Sequence, residues 1–464
     1  MVDEIKLAEK QETLESLRKV DDDLRLPSVP ERNFFPKEID AAPARLQTPA
    51  IGQRATRPDG RMHGLGQTKY IDDMFFPGML HAKIKRAGVA HAKIKSIDVS
   101  EAEKMPGVQA TLIGSEIPVN SFGPSLQDQP LLADEVVRHA GDGVAAVAAV
   151  TEQQALDALE KIKVVYEELP PVFDPIQAMS EDAIKIHNND SNIYATKTII
   201  KGDVDQGFKD SDHIFERRFT TQMVEHVPME PHASIAEWDA NGRVTLHSSL
   251  GRITLGRADI ARTLDMPINR IRIIATVVGG NFGGKNEITT EPVIALLSKK
   301  TGRPVKCVFT REDEFISSTT RHPFIMDYKT GVSKEGKILA RKVRIVCDGG
   351  AYCSWTETTL GKASILSAGP YNVENLHVDA YAVYTTKTVT GAMRGFGAPQ
   401  VCFAYESHMD DIAAELGIEP LKIRLTNAFN EGSTSPTGQV LESVVVSDSL
   451  TMATERFGWK EWQK

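Results

Sequence analysis

Past about residue 51 the apolar positions fall into short runs separated by Gly-, Pro- and Asn/Asp-rich breaks, a pattern that predicts short strands alternating with helices. Residues 81–85 alternate polar and apolar, and 92–99, 144–150 and 162–166 carry comparable strand-like runs, while 102–105 and 152–160 predict helices. A polar stretch follows over 180–192, with Asn188-Asn189-Asp190. Beyond it, strands are expected at 215–220, 244–248, 271–278, 305–309, 338–346 and 378–384, and helices at 254–264, 291–300, 401–416 and near 449–457. Thr310-Arg311-Glu312-Asp313 has the form of a capping box. The first 48 residues differ, because Leu7, Leu14 and Leu17 can share one helical face and prolines follow at 27, 30, 36, 43 and 49. Such a segment cannot bury a core of its own, which leaves a frayed tail or an arm that wraps a partner subunit. The expected organisation is an arm over 1–48, a smaller mixed domain over 49–178 and a larger one over 193–464, in an α+β fold.

The most informative punctuation is Gly279-Gly280-Asn281-Phe282-Gly283-Gly284-Lys285, between an expected strand and an expected helix. Glycines there permit positive φ and close backbone approach, and N–H groups at a helix start face an anion or polar cofactor. A phosphate-binding P-loop fails, because the position after Lys285 is Asn286 rather than Ser or Thr, and the glycines lack the GxGxxG spacing. A tight structural turn fits an isolated glycine loop equally well. A second cluster, Gly391-Ala392-Met393-Arg394-Gly395-Phe396-Gly397-Ala398-Pro399-Gln400, lies in the same strand-to-helix context. Two loops, each with a phenylalanine between glycines and one cation, suggest two walls of a pocket for a flat, anionic group.

Together with Thr437-Gly438-Gln439, these loops resemble the molybdenum hydroxylases, the xanthine dehydrogenase and aldehyde oxidase family, in its molybdopterin-binding subunit. The likeness runs from about residue 51 to the C-terminus. It implies an α/β hammerhead domain followed by the first half of the molybdopterin-binding region, with molybdenum–molybdopterin, expected in the cytosine dinucleotide form, as cofactor. It would set Phe282 and Gly283 against the metal's ligands, Gly280 and Gly284 also on the cofactor, Arg394 near the pterin or the substrate's developing charge, and Gly395, Gly397 and Gln400 as donors to the cofactor. Phe396 would fence a flat substrate, with Asn286, Glu287 and Lys362 on the substrate side.

The resemblance also implies what this chain lacks. The family's general-base glutamate lies in a second molybdopterin region, and no residue here corresponds to it. A divided molybdopterin subunit, as in the nicotinate dehydrogenase type of complex, is therefore expected, with no catalytic residue and no metal ligand on this chain. Its partners would be a second molybdopterin subunit carrying the base, an FAD subunit and a subunit with two [2Fe–2S] clusters, and alone it would not turn over. After the strand at 244–248 the family usually has Thr-Gln, whereas this chain reads Ser248-Ser249-Leu250-Gly251-Arg252. Purine-oxidising relatives place a glutamate directly after the lysine, where Asn286 stands, so an unaltered purine pocket is not expected. The reading is hydroxylation of an aromatic N-heterocycle with water. Alternatives are an aldehyde oxidase, a reductive dehydroxylase of an aromatic acyl-thioester, or a non-catalytic scaffold.

Composition narrows this further. Of the 464 residues 41% are hydrophobic and 25% charged, enough for two or three domains, and the net charge of −9 without a Lys/Arg block excludes nucleic acid as the expected partner. No apolar run of about 18 residues and no basic leader occur, so a cytoplasmic chain with no membrane span and a small-molecule substrate is expected. Cys307, Cys347, Cys353 and Cys402 form no CxxC pair, so each is expected to be a small core residue and any iron–sulfur cluster to sit on another chain. His81 and His91 lack ligand spacing, and His322, before a proline, predicts a hydrogen-bonded turn residue. Arg138–Gly143 is expected to be a structural turn, and Glu230 and His232, two apart on an extended segment, could form an acid/base pair.

Overall fold

The computed structural model describes residues 57–462, so the expected N-terminal arm lies outside the described residues. The chain divides into two units at Thr68/Lys69. In the described part of the first, a one-turn helix, Gly60–Gly64, is held by Asp59, which accepts from Arg57 at 2.9 Å and pairs with His63 at 3.1 Å.

The described residues of the second unit form three sheets. Its strands are β1 (Leu80–Arg86), β2 (Ala92–Asp98), β3 (Val108–Ile113), β4 (Val136–Val137), β5 (Gly143–Ala149), β6 (Lys163–Glu168), β7 (Ile193–Lys201) and β8 (His213–Thr220). They continue as β9 (Ala233–Trp238), β10 (Val244–Ser248), β11 (Ile271–Ala275), β12 (Val305–Val308), β13 (Phe324–Val332), β14 (Ile338–Gly350) and β15 (Asn375–Tyr384). A seven-stranded sheet runs β11-β10-β9-β12-β1-β5-β3, a five-stranded sheet β7-β15-β14-β13-β8, and a small one β4-β2-β6. The mixed α+β class expected from the sequence is therefore observed.

Two of these sheets use the same local device. Parallel β10 and β11 are joined by the helix Ile253–Thr263, and parallel β14 and β15 by the helix Thr356–Leu366. A crossover helix is what a parallel neighbour demands, since a tight turn cannot return the chain to the same end. Each glycine loop then leaves the carboxyl end of the second strand, β11 or β15, the edge at which open α/β sheets place their ligands. The helices after the loops are Glu291–Thr301 and Ala398–Leu416, and each stops at a left-handed glycine, Gly302 or Gly417. Leu360, Val401 and Met409 pack the later helices onto Phe324 and Val378 of the five-stranded sheet.

Several expected boundaries move for identifiable reasons. The strand expected over 271–278 ends at Ala275, because its partner β10 ends at Ser248, whose carbonyl accepts the last bond, from the Thr276 N–H at 3.4 Å. The helix expected from 401 begins at Ala398, since Pro399 fits its first turn, where a missing N–H costs nothing. β7, β13 and the helices Val204–Lys209, Thr356–Leu366 and Pro420–Asn427 were not predicted by the hydrophobic pattern. The polar stretch before β7 is anchored by buried Asn192, which donates to the carbonyls of Ala178 at 3.1 Å and Ile184 at 2.8 Å. Cys307, Cys347 and Cys353 are buried as expected, but Cys402 is exposed on the outer side of its helix, which corrects the reading of all four as core residues. Among the described residues no helix is long and apolar enough to cross a membrane.

Candidate functional site

The two glycine loops meet. The Arg394 N–H donates to the Phe282 carbonyl at 2.8 Å, and a Cβ added to Gly283 would overlap the Ala392 carbonyl oxygen. Contact this close explains why position 283 is glycine, and its φ of 112° is one that a side chain resists. Phe282 and Phe396 themselves sit at φ 53° and 56°, a conformation costing a non-glycine residue about 1–2 kcal/mol. Phe282 is nonetheless 49% exposed, so packing among the described residues does not repay that cost.

A layer of charged groups behind the loops fixes them. Lys285, only 1% exposed, donates to Glu230 Oε2 at 2.9 Å, and the same oxygen accepts the Gly279 N–H at 2.8 Å. Burial lowers the Lys285 pKa, and the Glu230 carboxylate opposes that shift. His232 lies next along the chain but turns elsewhere: its Nδ1 reaches both oxygens of Glu314, at 2.9 and 3.0 Å, and its Nε2 donates to the Gly284 carbonyl at 3.1 Å. Both ring nitrogens face acceptors, as in an imidazolium. Burial pulls the His232 pKa down, but the Glu314 carboxylate outweighs it and the net shift is upward, while Glu314 is lowered. The suggested Glu230–His232 acid/base pair is thus not formed. Pro231 and the start of β9 at Ala233 part the two side chains, and each enters its own ion pair.

His226 belongs to the same layer and carries no local sequence signal. Its Nε2 donates to the Ala392 carbonyl at 2.8 Å, and its ring abuts Gly284, so it ties one loop to the other. Arg321 does the same for the second loop, donating to the Arg394 carbonyl at 2.8 Å. His322, beside it, is buried, meets Thr356 Oγ1 at 2.8 Å and is pushed down to about pKa 3 by burial, as befits a turn residue that stays neutral. The turn at 138–143 is likewise structural, with buried His139 and Asp142 paired at 3.0 Å.

The remaining expected residues distribute as follows. The N–H groups of Gly280, Phe282, Gly395 and Gly397 have no acceptor among the described residues. Gln400 is buried, and its amide donates to the His322 carbonyl at 3.1 Å. Arg394 is exposed, Phe396 is half-buried, and Lys362 is exposed on the helix Thr356–Leu366. Leu250, in the segment where a Thr-Gln was expected, is buried in the main core, and the adjacent Gly251 N–H donates to the Lys285 carbonyl at 2.6 Å. Asn286 is half-buried at the end of the turn Gly284–Asn286, and Glu287 is buried. No group of three or more His, Cys, Asp or Glu among the described residues is placed to hold a metal ion.

Glu287 gives a pH signature. Burial pushes its carboxyl up to about 7; a hydrogen bond from Ser354 to Oε1 offsets part of this, and Oε2 has no partner among the described residues. Because the folded pKa lies above the ordinary 4.5, the folded protein keeps a proton that the unfolded chain releases, so stability falls as pH rises from 4.5 to about 7. At about 1.4 kcal/mol per pH unit, the total is roughly 3 kcal/mol. Denaturant titrations across this window should show that loss in the wild type and a flatter profile in Glu287→Gln; parallel profiles would refute the assignment.

Comparison with known proteins follows these elements. The family model for the aldehyde oxidase and xanthine dehydrogenase a/b hammerhead domain matches residues 65–170, and that for the molybdopterin cofactor-binding domain matches residues 186–428. The large molybdopterin subunit of nicotinate dehydrogenase from Eubacterium barkeri is 38% identical over 88% of this chain and 96% of its own length. Aldehyde oxidoreductase from Desulfovibrio gigas superposes with a TM-score of 0.83 at 33% identity, over 87% of this chain and 46% of that one. Quinoline 2-oxidoreductase from Pseudomonas putida 86 does so at 0.84 and 28% identity, over 89% and 55%. The chain also spans about half the length of the xanthine dehydrogenase subunits that it matches.

Proposed function

We propose, from the premise that this chain belongs to the xanthine dehydrogenase and aldehyde oxidase family of molybdopterin-binding oxidoreductases, that it is one subunit of a hydroxylase oxidising an aromatic N-heterocycle with water. The observation that carries the reading is the pair of interlocked loops with unpaired N–H groups. Donors held on a rigid backbone at two strand ends suit the polar, anionic edge of a pterin dithiolene, and Gly283 leaves no space between the loops that a side chain could fill. When bound, the molybdenum–molybdopterin group, in the cytosine dinucleotide form, supplies the two-electron oxidation and the oxygen drawn from water.

This chain's own residues then bind and orient. Gly280, Gly395 and Gly397 present backbone N–H groups to the cofactor, Gly283, whose own N–H donates to Asn281 Oδ1 at 2.9 Å, lets the two loops close, and the exposed Arg394 supplies positive charge where negative charge develops. Phe282 and Phe396 limit water and confine a flat ring between aromatic faces. Asn286 and Lys362 lie on the substrate side. Similarity to the nicotinate and quinoline enzymes supports a heteroaromatic substrate. The match over nearly the whole nicotinate dehydrogenase large subunit supports a divided arrangement, in which a second molybdopterin subunit brings the general base and FAD and two [2Fe–2S] clusters sit on further partners.

The direct test is molybdenum per chain in the native complex, gently purified through a tag on this subunit. One molybdenum per chain is expected, and an intact multi-subunit complex without molybdenum would refute the reading. Arg394→Ala should lower turnover of the complex by about tenfold or more, the effect of removing one charge-stabilising donor. Unchanged turnover and cofactor content would instead identify a scaffold.

A further inference from the structure

We propose that Arg252 and Trp355 form an anion-binding edge of the substrate site that selects a planar aromatic or heteroaromatic ring bearing a carboxylate. This rests on the preceding assignment of the loops and adds to it the charge of the substrate. Arg252 is exposed at the start of the helix Ile253–Thr263, and its guanidinium lies 4.3 Å from the centroid of the Trp355 ring. Trp355 in turn meets Phe396 edge-on, with ring centroids 6.4 Å apart. The Gly251 N–H, one residue before Arg252, is bonded to the Lys285 carbonyl, so the backbone that carries Arg252 is joined to the first glycine loop while the indole touches the second.

Neither polar group in this stack has a hydrogen-bond or ion-pair partner among the described residues. The Arg252 side chain makes no hydrogen bond or ion pair among the described residues, although acidic residues outnumber basic ones in the sequence. The Trp355 Nε1 is buried without an acceptor among the described residues. Buried donors nearly always find a partner, so an unpaired one beside an uncommitted cation marks a place for an acceptor-rich, negatively charged group. Lys285 cannot serve this purpose, since its charge is already neutralised by Glu230.

The position of Trp355 is also held at some cost. Ser354 adopts φ 46° and donates to buried Glu287, while the preceding Cys353 N–H donates to Asp128 at 2.9 Å. Tyr384 fixes that Asp128 oxygen from the end of β15 at 2.6 Å. A buried carboxyl, Glu287, and a half-buried one, Asp128, thus clasp the backbone on which the indole stands. Glu287 acts through Ser354 and is a positioning residue.

The test uses the tagged native complex, with benzoate and pyridine-3-carboxylate as probes and their uncharged amides as controls. Binding is read by calorimetry, and molybdenum is measured in the same samples. The wild-type complex should bind each acid at least about tenfold more tightly than its amide, the worth of one charged hydrogen bond. Arg252→Gln should abolish that preference with molybdenum per chain unchanged, and Arg252→Lys should keep part of it. Equal binding of acid and amide by the wild type, or a preference that survives Arg252→Gln, would overturn the proposal. Loss of molybdenum in Arg252→Gln would also overturn it, by assigning the guanidinium to the cofactor. Binding is compared whether or not the wild type holds molybdenum, so absence of the metal would count against the cofactor reading alone.

Discussion

A Gly283→Ala complex is expected to purify with less than about a tenth of the wild-type molybdenum, because the substitution strains the backbone and collides with a rigid neighbour at once, and each 1.4 kcal/mol is tenfold. Position 283 has φ 112°, where a side chain costs at least about 1–2 kcal/mol. The added methyl would also overlap the Ala392 carbonyl, which His226 holds in place. Overpacking of this kind adds about 1–3 kcal/mol. The loops can relieve the overlap only by separating, which breaks the bond from the Arg394 N–H to the Phe282 carbonyl and opens the cofactor's bed. Gly302→Ala is the matched control: it too has positive φ, but nothing lies within 4 Å of its added Cβ. Metal analysis and a denaturant titration on both variants decide the matter. Wild-type molybdenum in Gly283→Ala, or equal loss in Gly302→Ala, would show that the contact between the loops does not govern binding.

The second large effect is expected at Lys285. Lys285→Met leaves the Glu230 carboxylate enclosed without its cation, and removing one partner of a buried pair costs about 3–5 kcal/mol. Adding Glu230→Gln to the same chain should recover much of that loss, since the uncompensated charge disappears with it. Denaturant midpoints for the two single variants and the double variant form the cycle. Additive losses would mean that the two residues act independently, contrary to their 2.9 Å separation.

What could be read from the sequence was the information carried by adjacent residues. Gly302 and Gly417 stop their helices where expected, Thr310 caps its helix with Asp313, and both glycine loops lie between strand and helix. Such features depend on local φ preference and short-range hydrogen bonds. Features set by distant neighbours were not legible. β11 is shorter than its apolar run because of where β10 ends, and Glu230 and His232 part because Lys285 and Glu314 arrive from elsewhere in the chain. His226, Arg321 and Trp355 matter through contacts across 41 to 166 positions, for which a single sequence carries no mark.

The seven-stranded sheet joins what the family models divide. β1, from the hammerhead range, pairs in parallel with β12, from the molybdopterin-binding range, through Leu80 and Val305. On a ribosome adding about 5–20 residues per second, β1 waits roughly 10–45 s for its neighbour to be made. Through that interval its edge of unpaired N–H and C=O groups stands open in the nascent chain, a template for pairing with other copies. Yield of this subunit should therefore depend on translation speed and holdase supply more than its final stability suggests, and expression of the first region by itself would leave that edge permanently uncovered.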